Sequence, residues 1–516
     1  MRPTERRRLA PYLILALIAY GVFIAADDLT VVSTMLPQMI VDLEIPIPSG
    51  LDQAAWIVNA YLIAYVVTMP FMGRVSDLYG RRFVFVVSLL LFAAGSLWVP
   101  LAPNLTWLIV GRAITALGGG AMVPVAMAII GDVFPPRQRA FAMGLLGAVD
   151  TAGWIWGPLY GALLVRYLNW RWQFYINIPA SLVGAALAYY ALAGLQPHER
   201  DRRLDWVGVV LLTAGLVALN VALIRSGGGA NAPTSFEALV TQRRDSPSVL
   251  PLYGGAALAF GLFAWVERRV GRPLVDLALL RLRNFNLAGL VNLTAGFVLI
   301  IAMVDVPLFI NVILAEDVRS AAVASGRVLS ALTLSMALAS ILGGWLCQRW
   351  GYRLPTLLGL IGTLGGFLLM GRSWDLGVGY GTMAAQLALV GFGFGLVISP
   401  VATAVVDSVW TEQRGVASAL VILLRLMGMT VGLSALTAWG LHRFGVITRS
   451  LPPIPLADTA AQVQRAMEVT ARIIRELFLI SALVTAVALV PAVLLRDRVR
   501  SPRPTVHEEG SGRRET

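Results

Sequence analysis

Stretches of about 20 apolar residues recur along this chain, each bounded by arginines, prolines or polar loops. A stretch of that length spans the hydrocarbon core of a bilayer as a helix, since in lipid every backbone N–H and C=O must be satisfied within the segment. Candidate spans fall at 11–36, 53–72, 83–100, 105–131, 141–165, 172–195, 204–223, 250–266, 287–314, 320–347, 354–370, 380–406, 415–439 and 477–495. Fourteen helices, an even number, put both ends of the chain on one side of the membrane. Only 14% of the 516 residues are charged, against roughly 25% in soluble domains. The fold class read from this is an all-α polytopic membrane protein.

Arginine placement orients the spans. Arg2, Arg6, Arg7 and Arg8 precede the first, Arg496, Arg498, Arg500 and Arg503 follow the last, and Arg74, Arg81, Arg82, Arg137 and Arg139 lie in even-numbered loops. That side is expected to be cytoplasmic, in the plasma membrane, with both termini on it. The net charge of +12 sits in short loops and forms no basic face, which argues against a nucleic-acid partner. The 225–248 and 442–476 segments are long outer loops, and "ADTAAQVQRAMEVTARIIREL" within the second could lie on the outer surface as an amphipathic helix.

The chain contains no lysine, so neither a phosphate-cradling Walker A loop nor a Schiff base can form. Cys347 is the single cysteine, and His198, His442 and His507 are far apart, so no metal site and no cofactor is expected. The loops hold no paired Ser/His or His/Asp cluster, which argues against an enzyme.

The chain also repeats itself. "GRVSDLYGRR" (73–82) is echoed by "GWLCQRWGYR" (344–353), "GGAMVPVAMAII" by "GLVISPVATAVV", and "RAFAMGLLGAVDTAG" by "RGVASALVILLRLMG". The offsets are near-constant, so a six-helix unit occurs twice with two helices inserted between. The expected organisation is a basic N-terminus (1–10), an N-terminal six-helix bundle (11–195), two linker helices (196–270), a C-terminal six-helix bundle (271–500) and a disordered cytoplasmic tail (501–516). Parallel repeats of this kind place a substrate site between the halves near the midplane. A channel would need a ring of like residues, whereas Asp150 aligns with Arg425 and Arg112 with Ala388.

These residues resemble a family. "GRVSDLYGRR" resembles the loop signature between helices two and three of the major facilitator superfamily, and Asp28-Leu29-Thr30-Val31-Val32 a motif of its fourteen-helix drug:proton antiporter branch. Gly153-x-x-x-Gly157-Pro158-x-x-Gly161 resembles that branch's helix-five antiporter signature. "MVDVPLF", "GLVISP" and "RLMGMTVGLSALTAWGLHRF" resemble a mycobacterial group of triacylglyceride exporters that works with a lipoprotein and is also described as effluxing drugs. The resemblance implies a major facilitator fold, a monomer, and proton-coupled export of lipids, amphipathic drugs or both by alternating access. A lipoprotein partner is implied by the same resemblance, and a general multidrug:proton antiporter without a lipid role is the alternative.

Within that frame the intramembrane charges are the candidate site. Asp28, Asp150 and Asp305 are the candidate proton carriers, and Arg112 or Arg425 the counter-charge. A buried acid can be neutralised by a proton or by a cation, and the two compete. The competing reading is a static ion pair that only joins helices. Asp27 is expected to face outer water. Asp28→Asn is expected to weaken coupled transport and leave folding intact. Gly73, Asp77, Gly80, Arg81, Arg82 and Arg139 are expected to latch the cytoplasmic side, with Asp77 accepting from a helix N-terminus or pairing with Arg139. The Gly153, Gly157 and Gly161 face is expected to pack on a helix of the other half, with Pro158 bending the helix.

Overall fold

A computed structural model describes residues 11–45, 51–195, 204–228, 248–271, 273–314, 318–451 and 459–497. The expected N-terminal segment 1–10, the tail 501–516 and most of the 225–248 loop lie outside these residues. Among the described residues there is no strand. The long helices are α1 (Pro11–Asp42), α2 (Trp56–Tyr79), α3 (Arg81–Trp98), α4 (Leu105–Val133), α5 (Pro136–Tyr167) and α6 (Arg171–Ala191), then α7 (Trp206–Leu223) and α8 (Leu250–Glu267). They continue as α9 (Arg283–Phe309), α10 (Val318–Trp350), α11 (Arg353–Ser373), α12 (Tyr380–Ser408), α13 (Arg414–Ser450) and α14 (Thr459–Leu494). Among the described residues 13 helices are long and apolar enough to cross a membrane. Helix α5, at 32 residues, is long enough but too polar in composition to be one of them.

The helices sort into the two repeat units. Helices α1, α4, α5 and α6 pack together, as do α2, α3 and α4; in the second unit α9 packs on α13 and α14, and α10 and α11 on α12. The units meet along two seams, α2 against α13 and α5 against α10. The repeat maps each seam onto the other. The turn glycines repeat as well: Gly80 has φ 99° and Gly351 φ 78°, a left-handed backbone that costs an L side chain strain.

One expectation is corrected. The segment expected as a surface amphipathic helix is the first part of α14, continuous with the last span, and α13 likewise runs on to Ser450. Arg443 on α13 grips Glu476 on α14 through two bonds of 2.7 and 3.0 Å. Ile447, Val469, Ile473 and Ile474 fill the space between. The apolar stripe of this segment therefore meets a helix rather than a membrane surface.

Candidate functional site

Two sets of charged residues emerge, one at the arginine-rich end of the bundle and one in its middle. At the arginine-rich end, Asp77 near the end of α2 accepts the backbone N–H groups of Gly415 and Val416 at 2.9 and 3.0 Å. These are the unpaired donors at the start of α13, where an acid also meets the positive end of the helix dipole. Arg81 pairs with Asp77 and, at 3.1 Å, with Asp132 at the end of α4, and donates to the Thr411 carbonyl. The approach depends on missing side chains: a Cβ on Gly73 would lie 2.6 Å from the Gly415 carbonyl oxygen.

Arg139 does not pair with Asp77. It reaches across to Asp407 on α12 at 2.6 Å, while Arg414 on α13 reaches back to Asp132 on α4 at 2.8 Å. The two bridges are mirror members of the repeat, each running from the start of one unit's fifth helix to the end of the other's fourth. Tyr352, in the turn between α10 and α11, donates to Asp407 at 2.6 Å. Burial, then the Asp407 carboxylate, hold its phenol above the ordinary range, so it stays a donor. Arg82 stacks on Tyr189, its guanidinium carbon 3.8 Å from the ring centre, and has no cross-unit ion pair among the described residues.

In the middle of the bundle the acids separate into three environments. Asp28 on α1 is fully buried and bonded to Arg112 of α4 at 2.6 Å and to the Asn177 amide of α6 at 3.2 Å. The Arg112 guanidinium lies 4.0 Å above the Tyr61 ring of α2. This cluster therefore ties α1, α2, α4 and α6 of one unit. Asp27 is not wet: it is buried and accepts from Gln173 at 2.9 Å, because α6 packs over this stretch of α1.

Asp150 and Arg425 form a looser pair, 3.4 Å apart, and it joins the two units. Both side chains retain 12 to 16% of their exposure and line a small cavity. The cavity wall is mainly apolar, with Trp154, Leu299, Met336, Phe394 and Val397 beside Asn292. Asp305 of α9 is buried and has no ion pair or hydrogen bond among the described residues.

The helix-five glycines depart from expectation. A Cβ on Gly153 would lie 2.7 Å from the Ala26 methyl, one on Gly157 2.8 Å from the Asp27 carbonyl, and one on Gly161 2.8 Å from Val31. Their partner is α1 of the same unit. Pro158 lies inside α5 between them. Gly144 and Gly147, about two and a half and one and a half turns before Gly153, are the ones that face the other unit, at Ser340 and Gly344 of α10. Asp132, Asp407 and Arg414 were missed by sequence reasoning. The repeat offset that pairs Asp150 with Arg425 also pairs 132 with 407 and 139 with 414, and was the signal for them. The sequence reading gave no role to Tyr61, Gln173 or Asn177. Among the described residues no cluster of His, Cys, Asp and Glu could hold a metal ion.

The family described as Major Facilitator Superfamily matches residues 18–433 and, overlapping, 287–515. A triacylglyceride transporter of Mycolicibacterium smegmatis is 34% identical, the match covering 88% of this chain and 80% of that protein. A triacylglyceride transporter of Mycobacterium tuberculosis is 33% identical, with 95% of each chain covered. Among solved structures, the human organic anion transporter MFSD10 superposes with TM-score 0.59 at 15% identity, covering 92% of this chain and 99% of that one. The proton:xylose symporter XylE gives 0.58 at 14% identity, covering 92% and 94%.

Proposed function

This chain belongs to the Major Facilitator Superfamily, a transporter and not an enzyme, and we propose that it exports triacylglycerides in exchange for protons by alternating access. We read the arginine-rich face as cytoplasmic, as the charge bias of the short loops requires, with both termini there and the protein in the plasma membrane. We also read α5 as a fourteenth span, since it packs along its length on α1 and α10. In this reading the cross-unit latches close the cytoplasmic side, and the two bundles, 11–195 and 271–500, rock about the cavity between them.

The observation that carries the coupling is the Asp150–Arg425 pair. It bridges the units on the cavity wall and is the longest of the intramembrane pairs. Rocking that draws Arg425 away leaves Asp150 without its cation in an apolar wall, where the neutral acid is favoured. A proton is then taken up when the pair parts and given up when it re-forms. No fixed cation faces Asp305 among the described residues, which makes it a second acid suited to hold a proton. Asp28 with Arg112 is enclosed within one unit, and its part is to hold that unit rigid. The substrate assignment rests on the names of the relatives and the apolar cavity wall; a lipoprotein partner follows only from the motif resemblance, and the chain is taken to act as a monomer. The same wall suits an amphipathic drug, which is the second reading.

The test uses purified protein in liposomes under an imposed proton gradient. Gradient-driven, saturable movement of a fluorescent triacylglyceride analogue is the expected result. Movement of a cationic dye alone would favour the drug reading, and movement of neither would remove proton antiport.

A further inference from the structure

The repeat gives this protein two equivalent seams, but the inserted helices treat them unequally. Helix α7 lies diagonally across the α2–α13 seam. At one end the Trp206 ring meets Phe71 of α2, centroids 6.2 Å apart. At the other, some 25 Å along the helix, the Leu223 carbonyl accepts from Ser434 of α13 at 3.1 Å. The turn that follows, Ile224–Gly228, also packs on α13. So α7 touches one unit at the arginine-rich end and the other unit at the opposite end. Helix α8 lies outside it, seated on α7 with Phe260 against Gly215, and turns Leu258, Leu262 and Trp265 outward. The connector after α8 is tied in as well: Glu267 accepts the Leu274 N–H at 3.2 Å, and Asp276 accepts from Gln413 beside the start of α13 at 3.0 Å.

Among the described residues the α5–α10 seam has no such cover. Among the described residues, α12 is the long helix that packs substantially on both α5 and α10, and it lies on the cavity side, contributing Phe394 and Val397 to the wall. The close approaches of α5 to α10 are at Gly144 and Gly147, towards the arginine-rich end. Beyond Asp150 the glycines of α5 turn to α1 instead. Trp154 of α5 and Met336 of α10 line the cavity beside this seam, and Leu159 of α5 and Leu338 of α10 are exposed where a bilayer would lie.

We propose that the inserted pair α7–α8 is a seal over the α2–α13 seam, so that acyl chains pass between bilayer and cavity through the α5–α10 seam alone. The seal follows from geometry: a helix in contact with both units covers a gap that would otherwise open to lipid whenever the units part. The proposal rests on the lipid-export reading and adds its route. It assigns the inserted helices a task that the twofold repeat cannot supply, since the repeat makes both seams alike.

The test is photolabelling of the full-length protein in nanodiscs with a triacylglyceride analogue carrying a diazirine on an acyl chain, and mapping adducts by mass spectrometry. Adducts are expected on α5, α10 and the cavity wall, and at least tenfold fewer on the bilayer-facing sides of α2 and α13. Equal labelling of the α2–α13 seam with the cavity still labelled would overturn the route while leaving lipid transport standing. No labelling of the cavity would overturn both. A second variant, Phe71→Ala/Trp206→Ala, unseats one end of α7 and is expected to bring new adducts onto α2 and α13. An unchanged pattern in that variant would show that the helix pair is not the seal.

Discussion

Asp28 and Asp150 are both buried acids beside an arginine, yet their surroundings differ. Asp28 sits wholly inside one unit against Arg112, which is 1% exposed. Removing the acid strands that cation, a loss of about 3–5 kcal/mol for a buried pair. Asp28→Asn is therefore expected to lower the thermal unfolding midpoint of the purified protein markedly, which reverses the expectation that folding would be spared. Asp28→Leu/Arg112→Met should recover most of the loss, and an unchanged midpoint in the single variant would show the pair to be dispensable. Asp150→Asn removes one partner of a longer, partly wetted pair, so its midpoint should fall by far less. The sequence marks all of these charges, since an ionisable group within an apolar span stands out. It does not mark the partners: Asp28 was open to Arg112 or Arg425, and the packing of α4 against α1 brings it Arg112, while Arg425 meets Asp150 at the cavity between the units.

Helices were legible where their length answers to a bilayer, and their limits blurred where it does not. Helices α13 and α14 run past the apolar stretch because neither 440–450 nor 459–476 holds a proline and their apolar stripes find each other. The glycine face of α5 was legible as a close-packing face, but periodicity says that a neighbour comes near, not which one. A β-branched side chain at a close approach acts on the element that faces it. Gly157→Val should force α5 from α1 within one unit and cost stability. Gly415→Val, where a Cβ would come 2.6 Å from the Ser76 hydroxyl oxygen, should instead part α2 from α13. The expected readout for the latter is faster thiol labelling of a cysteine placed at buried Ser418, at little loss in unfolding midpoint. Labelling no faster than in the parent would mean that this contact does not hold the gate.

Across the whole molecule the repeat is the organising fact. It places Arg139 on Asp407 and Arg414 on Asp132 as reciprocal bridges, with Asp77 and Arg81 added on one side only, since the second copy has Gln348 where the first has Asp77. A hydrogen-bonded charge is worth about 1.5–3 kcal/mol, so Arg139→Gln or Arg414→Gln should each shift the balance towards the state open at the arginine-rich face by about tenfold or more. Distances between spin labels on that face of the two units would report the shift. Equal distributions in parent and variants would show the bridges to be incidental. The repeat, and with it the two-unit fold, was legible from spacing alone. The reciprocal bridges were not, because their residues sit at helix ends where charge is ordinary. The proposed coupling of proton to substrate movement at Asp150 is tested by comparing two modes of transport in liposomes. Asp150→Asn is expected to keep exchange of the triacylglyceride analogue without a gradient and to lose its gradient-driven accumulation. Accumulation at the parent rate in that variant would contradict the account.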